Sequence, residues 1–225
     1  MGYAMPANVS FCLVQGRAVF LDLAQDRYFR LSDSLDAAFQ SLCRGQEPHN
    51  DLIEALVQRG AIHCTPGEAT PKAAVAARPT HSALETQPAG PSPGAWTSVC
   101  VVQSVVKMRL ALKVRPLVRV VDQLRTRRTA DLARRQDGLG ATNSADILAA
   151  AARFNRTRRV VPIDTICLLD AFAMMDFLLG KGLSANLVMG VKLSPFSAHC
   201  WVQHDDVILN DAFDRASAFT PILVV

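Results

Sequence analysis

The sequence predicts an α+β protein made of two folded units joined by a linker, and three observations lead there. Short β-like runs occupy residues 9–31, long helical patterns fill 99–179, and strand-like runs return over 183–211. Between these regions, residues 65–98 hold six of the twelve prolines with no apolar periodicity beside them. Half of the 225 residues are hydrophobic and a fifth are charged, which is globular rather than disordered composition.

The first unit is expected over residues 1–64. Val9–Val14 and residues 17–23 flank Gln15-Gly16, a pair suited to a tight turn. Ala24-Gln25-Asp26 makes a second turn and residues 27–31 a third strand. Ser32 or Ser34 can cap a helix that carries Leu35, Ala38, Phe39 and Leu42 at helical spacing. Residues 49–59 place Leu52, Ile53, Leu56 and Val57 on one helical face, and Gly60 ends the helix. Three strands followed by helices in so short a stretch resemble a small winged-helix module. Residues 65–98 are expected as an extended, mobile linker, because proline supplies no backbone donor and fixes φ.

The second unit is expected over residues 99–225. Residues 99–128 read as helical with a break at Pro116, and 144–156 as an amphipathic helix. After Pro162, Asp164 or Thr165 can cap a helix running to Leu179, stopped by Gly180-Lys181-Gly182. Residues 183–193, 198–203 and 207–211 read as strands, the last two joined by the polar turn His204-Asp205-Asp206.

Charge and cysteine usage narrow the function classes. The net charge is +4, and arginines cluster over 109–135 and 153–159. They read as solvated helix faces, and no aromatic interleaves the first cluster to stack nucleic-acid bases. The helix over 49–59 has Asp51 and Glu54 against Arg59, a poor recognition helix for nucleic acid. The six cysteines show no C-x-x-C spacing, so neither a zinc site nor a redox pair is expected. No P-loop is present, and no cofactor is called for. The N-terminus lacks a basic region followed by a long apolar run. The most apolar stretch, 166–179, is short and contains Asp170 and Asp176. A cytoplasmic protein with reduced thiols and no membrane partner is the expectation.

Three residues form a reactive constellation. Cys167 falls in the first turn of the expected helix, where backbone N–H groups and the helix dipole favour a thiolate. His199, Trp201 and Gln203 share one face of a strand. A three-residue loop at 204–206 would pair 203 with 207, 201 with 209 and 199 with 211, setting Asp211 opposite His199. A two-residue loop would oppose Asp211 to Cys200 instead. Cys167, His199 and Asp211 are then nucleophile, base and orienter. Cys200, on the face away from His199, reads as core.

At these residues the chain resembles a known family. The runs CLLDAFAMMDFLLGKG, LVMGVKLSPFSAHCWVQ and VILND are similar to the transglutaminase-like B proteins of lasso-peptide biosynthesis. The matching features are Cys167-Leu168, Gly182, Gly190-Val191, Pro195-Phe196, Ala198-His199-Cys200-Trp201-Val202 and Asp211. Phe20–Leu23 and Asp26–Leu31 are similar to the precursor-recognition module of the same pathways. The resemblance implies a transglutaminase-like, papain-like cysteine peptidase domain. It implies removal of the leader from a ribosomally made precursor peptide, with the freed amine passed to an asparagine-synthetase-like cyclase. The leader would add as a strand, held by Arg27, Tyr28, Phe29 and Leu31 with Leu52 and Leu56 on a helix wall. Two other readings stay open: acyl transfer on the same triad, as in transglutaminases, and a non-catalytic peptide-binding scaffold.

Overall fold

A computed structural model describes residues 2–86, 94–136 and 143–225. The chain divides into two compact units, Met1–Val75 with Thr220–Leu223, and Ala76–Phe219 with Val224–Val225. The architecture is mixed α+β, as expected.

In the first unit, strands β1 (Gly2–Ala4) and β5 (His63–Thr65) form an antiparallel pair. Strands β2 (Val9–Val14), β3 (Arg17–Asp22) and β4 (Arg27–Arg30) form an antiparallel sheet in that order. Val14 pairs with Arg17, so Gln15-Gly16 is a two-residue turn, and both residues have positive φ as the strand twist demands. Helices α1 (Asp33–Cys43) and α2 (Asn50–Gln58) follow. Phe11, Phe20 and Phe39 pack ring to ring in the core, and Phe29 stacks on Phe20 with centroids 4.9 Å apart. The β1–β5 pair has no signal in the sequence, because three-residue strands are too short to show alternation.

The stretch expected as a mobile linker is ordered through Thr86, which corrects that expectation. Ala69 O accepts from Tyr3 N at 2.9 Å, and Ala74 N donates to Phe11 O at 3.0 Å. Further on, Thr80 N donates to Asp206 O at 2.8 Å, strand β6 (His81–Ser82) pairs with a later strand, and α3 (Ala83–Thr86) adds one turn. The contacts run through main-chain groups and through isolated side chains such as Thr80 and Ser82, which leave no apolar period in a Pro- and Ala-rich sequence. Residues 87–93 lie outside the described residues.

The second unit packs helices on a sheet. Helices α4 (Ala95–Val114) and α5 (Leu117–Gln136) are separated at Pro116, as expected. Helix α6 (Ser144–Arg158) starts at Asn143, whose side chain accepts from Ala145 N at 3.0 Å. Helix α7 (Cys167–Gly180) is the core of the unit, with Leu169 and residues 171–178 buried. Strands β7 (Asn186–Leu193), β8 (Phe196–His204), β9 (Val207–Ile208) and β10 (Thr220–Val224) form a five-stranded sheet with β6, ordered β10-β7-β8-β9-β6. Helix α8 (Phe213–Ser217) lies between β9 and β10 in the chain.

Not all of the arginines are solvated, which is a second correction. Arg127 binds Asp176, Arg128 donates to Ala185 O at 3.0 Å and Asn186 Oδ1 at 2.5 Å, and Arg158 is 6% exposed. Asp176 sits inside α7, takes Ser104 Oγ at 3.0 Å and Lys107 Nζ at 2.6 Å, and so ties α4 and α5 to α7. Burial pushes its carboxyl up, but hydrogen bonds from Lys107 and Arg127 outweigh that and hold it below the usual range. Its contribution to stability is therefore present above its unfolded pKa and lost as pH falls through its lower folded value. Asp176→Ala leaves two cations over a buried gap. It should cost about 3 kcal/mol, read by chemical denaturation, and remove part of the acid sensitivity of the melting temperature.

Candidate active site

Cys167 is the first residue of α7, in its first turn as expected. Ile166 is the N-cap and makes no side-chain cap bond, so neither Asp164 nor Thr165 caps the helix. The loop before it is held instead by Arg158. That guanidinium binds Asp170 Oδ1 at 2.6 Å, Ile163 O at 2.9 Å and Asp164 O at 2.9 Å. The Cys167 side chain is exposed. Its thiol lies below the ordinary value, first through a hydrogen bond with His199. Burial opposes this, and the His199 charge and main-chain bonds at Cys200 and Leu168 add to it.

The other cysteines contrast with it. Burial pushes Cys12 up to about 12, Cys43 up to about 11, and Cys200 well above its usual value. Cys200 is core, as expected, at 2% exposure.

His199 sits on β8, 8% exposed, with its Nε2 bonded to Asp211 Oδ2. Nδ1 is the nitrogen left for the sulfur. Burial alone would lower its pKa. Hydrogen bonds with Asp211 and Cys167 outweigh that and raise it to about 9. A lowered thiol beside a raised imidazole is the electrostatic signature of a thiolate–imidazolium pair.

The sequence pairs His199 with Asp211 correctly, but through the wrong register. The β8–β9 loop has two residues, Asp205-Asp206, with Asp205 at positive φ, and it pairs Gln203 with Ile208 and His204 with Val207. Continued as a regular strand, that register would set Asp211 against Cys200. The strand instead ends at Ile208. Leu209 N makes one more ladder bond to Val202 O at 2.8 Å, and then the Asn210 side chain takes Val202 N at 2.7 Å. Asn155 Nδ2 donates to Leu209 O at 2.7 Å, and Ser82 Oγ donates to Asp211 O at 2.5 Å. The bend turns Asp211 into reach of His199. Asp211 Oδ1 accepts from Ala212 N at 2.8 Å.

Ser82, Asn155, Asn210 and Arg158 are the positioning residues that sequence reasoning missed. Asn210 stands beside Asp211 and could have been suspected of breaking a strand. Ser82 could not, because it lies in the stretch read as linker.

The ring of His199 lies against Phe219, with centroids 5.0 Å apart, and beside Trp201 at 6.1 Å. Gly190 faces His199 across the β7–β8 ladder, and a Cβ there would meet Trp201 Cζ3 at 2.8 Å and Phe219 Cβ at 2.9 Å. Only glycine lets both rings approach this closely.

The remaining expected residues lie in the first unit. Arg27 is exposed with its guanidinium 5.3 Å from the centroid of Phe29, and Tyr28 and Phe29 are half-buried. Leu52 is half-buried against the core. Leu31, at 8% exposure, and Leu56, at 0%, belong to the core itself, so their side chains are committed to packing rather than to a groove wall. Strand β4 pairs with β3 on one side and has no strand on its other edge among the described residues. His204 ends β8 and Asp205-Asp206 form the turn, and no cluster of three or more His, Cys, Asp or Glu side chains suited to a metal occurs among the described residues.

A thiol at a helix N-terminus, with a His on an adjacent strand and a carboxylate behind it, is the arrangement that suits a cysteine nucleophile of the transglutaminase type. The profile of the transglutaminase-like superfamily matches residues 108–224, and the chain belongs to that superfamily. No curated protein and no solved structure matches the chain.

Three outcomes follow from this geometry. The rate of Cys167 alkylation should reach its plateau at a lower pH than that of an ordinary thiol. Asp211→Asn removes a group that raises the His199 pKa. The imidazolium then deprotonates earlier, the thiol pKa rises, and alkylation near neutral pH should slow about tenfold. An unchanged pH profile in that variant would mean that Asp211 does not act through His199. Gly190→Ala should cost about 1–3 kcal/mol by overpacking Trp201 and should shift the same alkylation profile, measured beside a thermal melt.

Proposed function

We propose that this chain is the leader peptidase of a lasso-peptide pathway. The observation that carries the reading is that Cys167, His199 and Asp211 meet one another, and the same chain holds a small sheet whose β4 has no strand on its outer edge among the described residues. The superfamily match supports cysteine-peptidase or transglutaminase-type chemistry. The lasso assignment rests on the motifs from Cys167 to Asp211 and on the precursor-recognition-like run over 20–31.

The chemistry follows from the three groups. The Cys167 thiolate attacks the carbonyl of the leader–core bond, and the oxyanion faces the open N–H groups at the start of α7. His199 gives its proton to the departing amine, which leaves as the N-terminus of the core peptide. Water, deprotonated by His199, then cleaves the thioester and releases the leader acid. The freed amine is the nucleophile that a separate asparagine-synthetase-like cyclase would join to a side-chain carboxyl. The leader lies along β4 as an added strand, with Arg27, Tyr28, Phe29 and Leu52 beside it. If an amine replaces water at the thioester, the same site performs acyl transfer. Mass spectrometry of the products separates the two readings.

The test uses the full chain and its precursor. Wild type should yield two fragments whose masses sum to precursor plus one water. Cys167→Ala should yield none, while binding a labelled leader with unchanged affinity. Tyr28→Ala should weaken leader binding about tenfold and leave Cys167 alkylation as it was. Hydrolysis should lose activity above a pH of about 9, where His199 gives up the proton it must donate. A precursor left intact by wild type, or cut equally by Cys167→Ala, ends this reading.

A further inference from the structure

Helix α4 has two apolar faces, and one of them meets solvent. Val101, Val105, Met108 and Ala111 are buried on the inner face. On the outer face Trp96 is 76% exposed, Val99 55%, Val102 40%, Val106 41%, Leu110 56% and Val114 72%. Their spacings of three and four residues align them in one stripe, about 27 Å long at 1.5 Å per residue. A surface helix ordinarily turns charge outward. A continuous exposed stripe of this length marks a surface that binds something.

Charge identifies the occupant. Helix α4 carries Lys107, Arg109 and Lys113 and no acidic residue. Arg109 and Lys113 are exposed beside the stripe, and exposed Arg115 and Arg119 continue the basic run past its C-terminal end. A second copy docked on this face would bring cation to cation. An anionic surface matches the basic residues, and their long stems can lie along the apolar surface while the charged heads reach outward. Tryptophan at one end of the stripe suits the boundary between headgroups and acyl chains. We infer that the outer face of α4 is a membrane-binding surface that lies flat on an anionic lipid bilayer. No described helix is long and apolar enough to cross a membrane, so the contact is peripheral. A one-sided stripe has none of the length or uniform hydrophobicity of a spanning segment, so the expectation of no membrane partner does not extend to it.

The test is sedimentation of the full chain with vesicles. The probes are vesicles of phosphatidylcholine alone and vesicles with added phosphatidylglycerol. Wild type should bind the anionic vesicles about tenfold more tightly than the neutral ones, and high salt should reduce that binding. The two tryptophans differ sharply in exposure, Trp96 being open and Trp201 buried at 1%. The emission of Trp96 should therefore shift to the blue on binding. Val106→Glu and Leu110→Glu sit on exposed positions and should abolish both signals while leaving circular dichroism and Cys167 alkylation unchanged. Arg109→Glu with Lys113→Glu should remove the preference for anionic lipid. Absence of binding to anionic vesicles overturns the inference, as does equal binding by Val106→Glu and Leu110→Glu. A wild-type dimer in light scattering that Val106→Glu converts to monomer also overturns it, because the face is then an interface between copies.

Discussion

The bend after Ile208 is the constraint on which the site depends. A sheet ladder offers each residue one opposite neighbour, and the β8–β9 register would give Asp211 the wrong one. Three side chains substitute for the lost ladder. Asn210 replaces a backbone acceptor, while Asn155 and Ser82 each satisfy a carbonyl that the bend leaves unpaired. The carboxylate that orients His199 is thereby held by residues from α6, β6 and the bend itself. A polar group buried at such a turn is costly unless bonded, so the three bonds make the bend a defined structure rather than a frayed end.

The Cys167 thiol is fixed by a different device. Helix α7 is surrounded by apolar contacts along nearly its whole length, which sets where its first residue lies. Asp176 anchors the helix to α4 and α5, and Arg158 clamps the loop that enters it. Cys167 needs no capping side chain, because its open N-terminal position leaves backbone donors available for negative charge on sulfur or oxygen. The rigidity of the core helix is passed directly to the reactive atom.

His199 and Asp211 are buried, as the proposed bond cleavage requires. Strand β4 has no strand on its outer edge among the described residues, as the proposed strand addition requires. Helix α4 packs its inner face on α7 while its outer face stays apolar in solvent.

Elements with a strong period were legible in the chain itself. The strands around Gln15-Gly16, the helix break at Pro116, the helices at 144–158 and 167–180, and the α+β class all follow from local pattern. The same contexts single out Cys167, His199 and Asp211, because a thiol, an imidazole and a carboxylate there suggest one chemistry, and the three side chains do meet. The register that joins His199 to Asp211 was not legible. It turns on a loop one residue shorter than the polar run suggests and on side chains far away in sequence. The place of Ser82 was hidden for the same reason, since a proline-rich segment that docks by main-chain hydrogen bonds and single polar side chains carries no periodic signature. Likewise, Leu31 and Leu56 are groove residues by what the resemblance implies, and only packing shows that the core claims them. Local propensity determined which elements form and which groups could react, whereas tertiary contacts decided which of those groups meet, because a hydrogen bond across more than a hundred residues leaves no trace in periodicity.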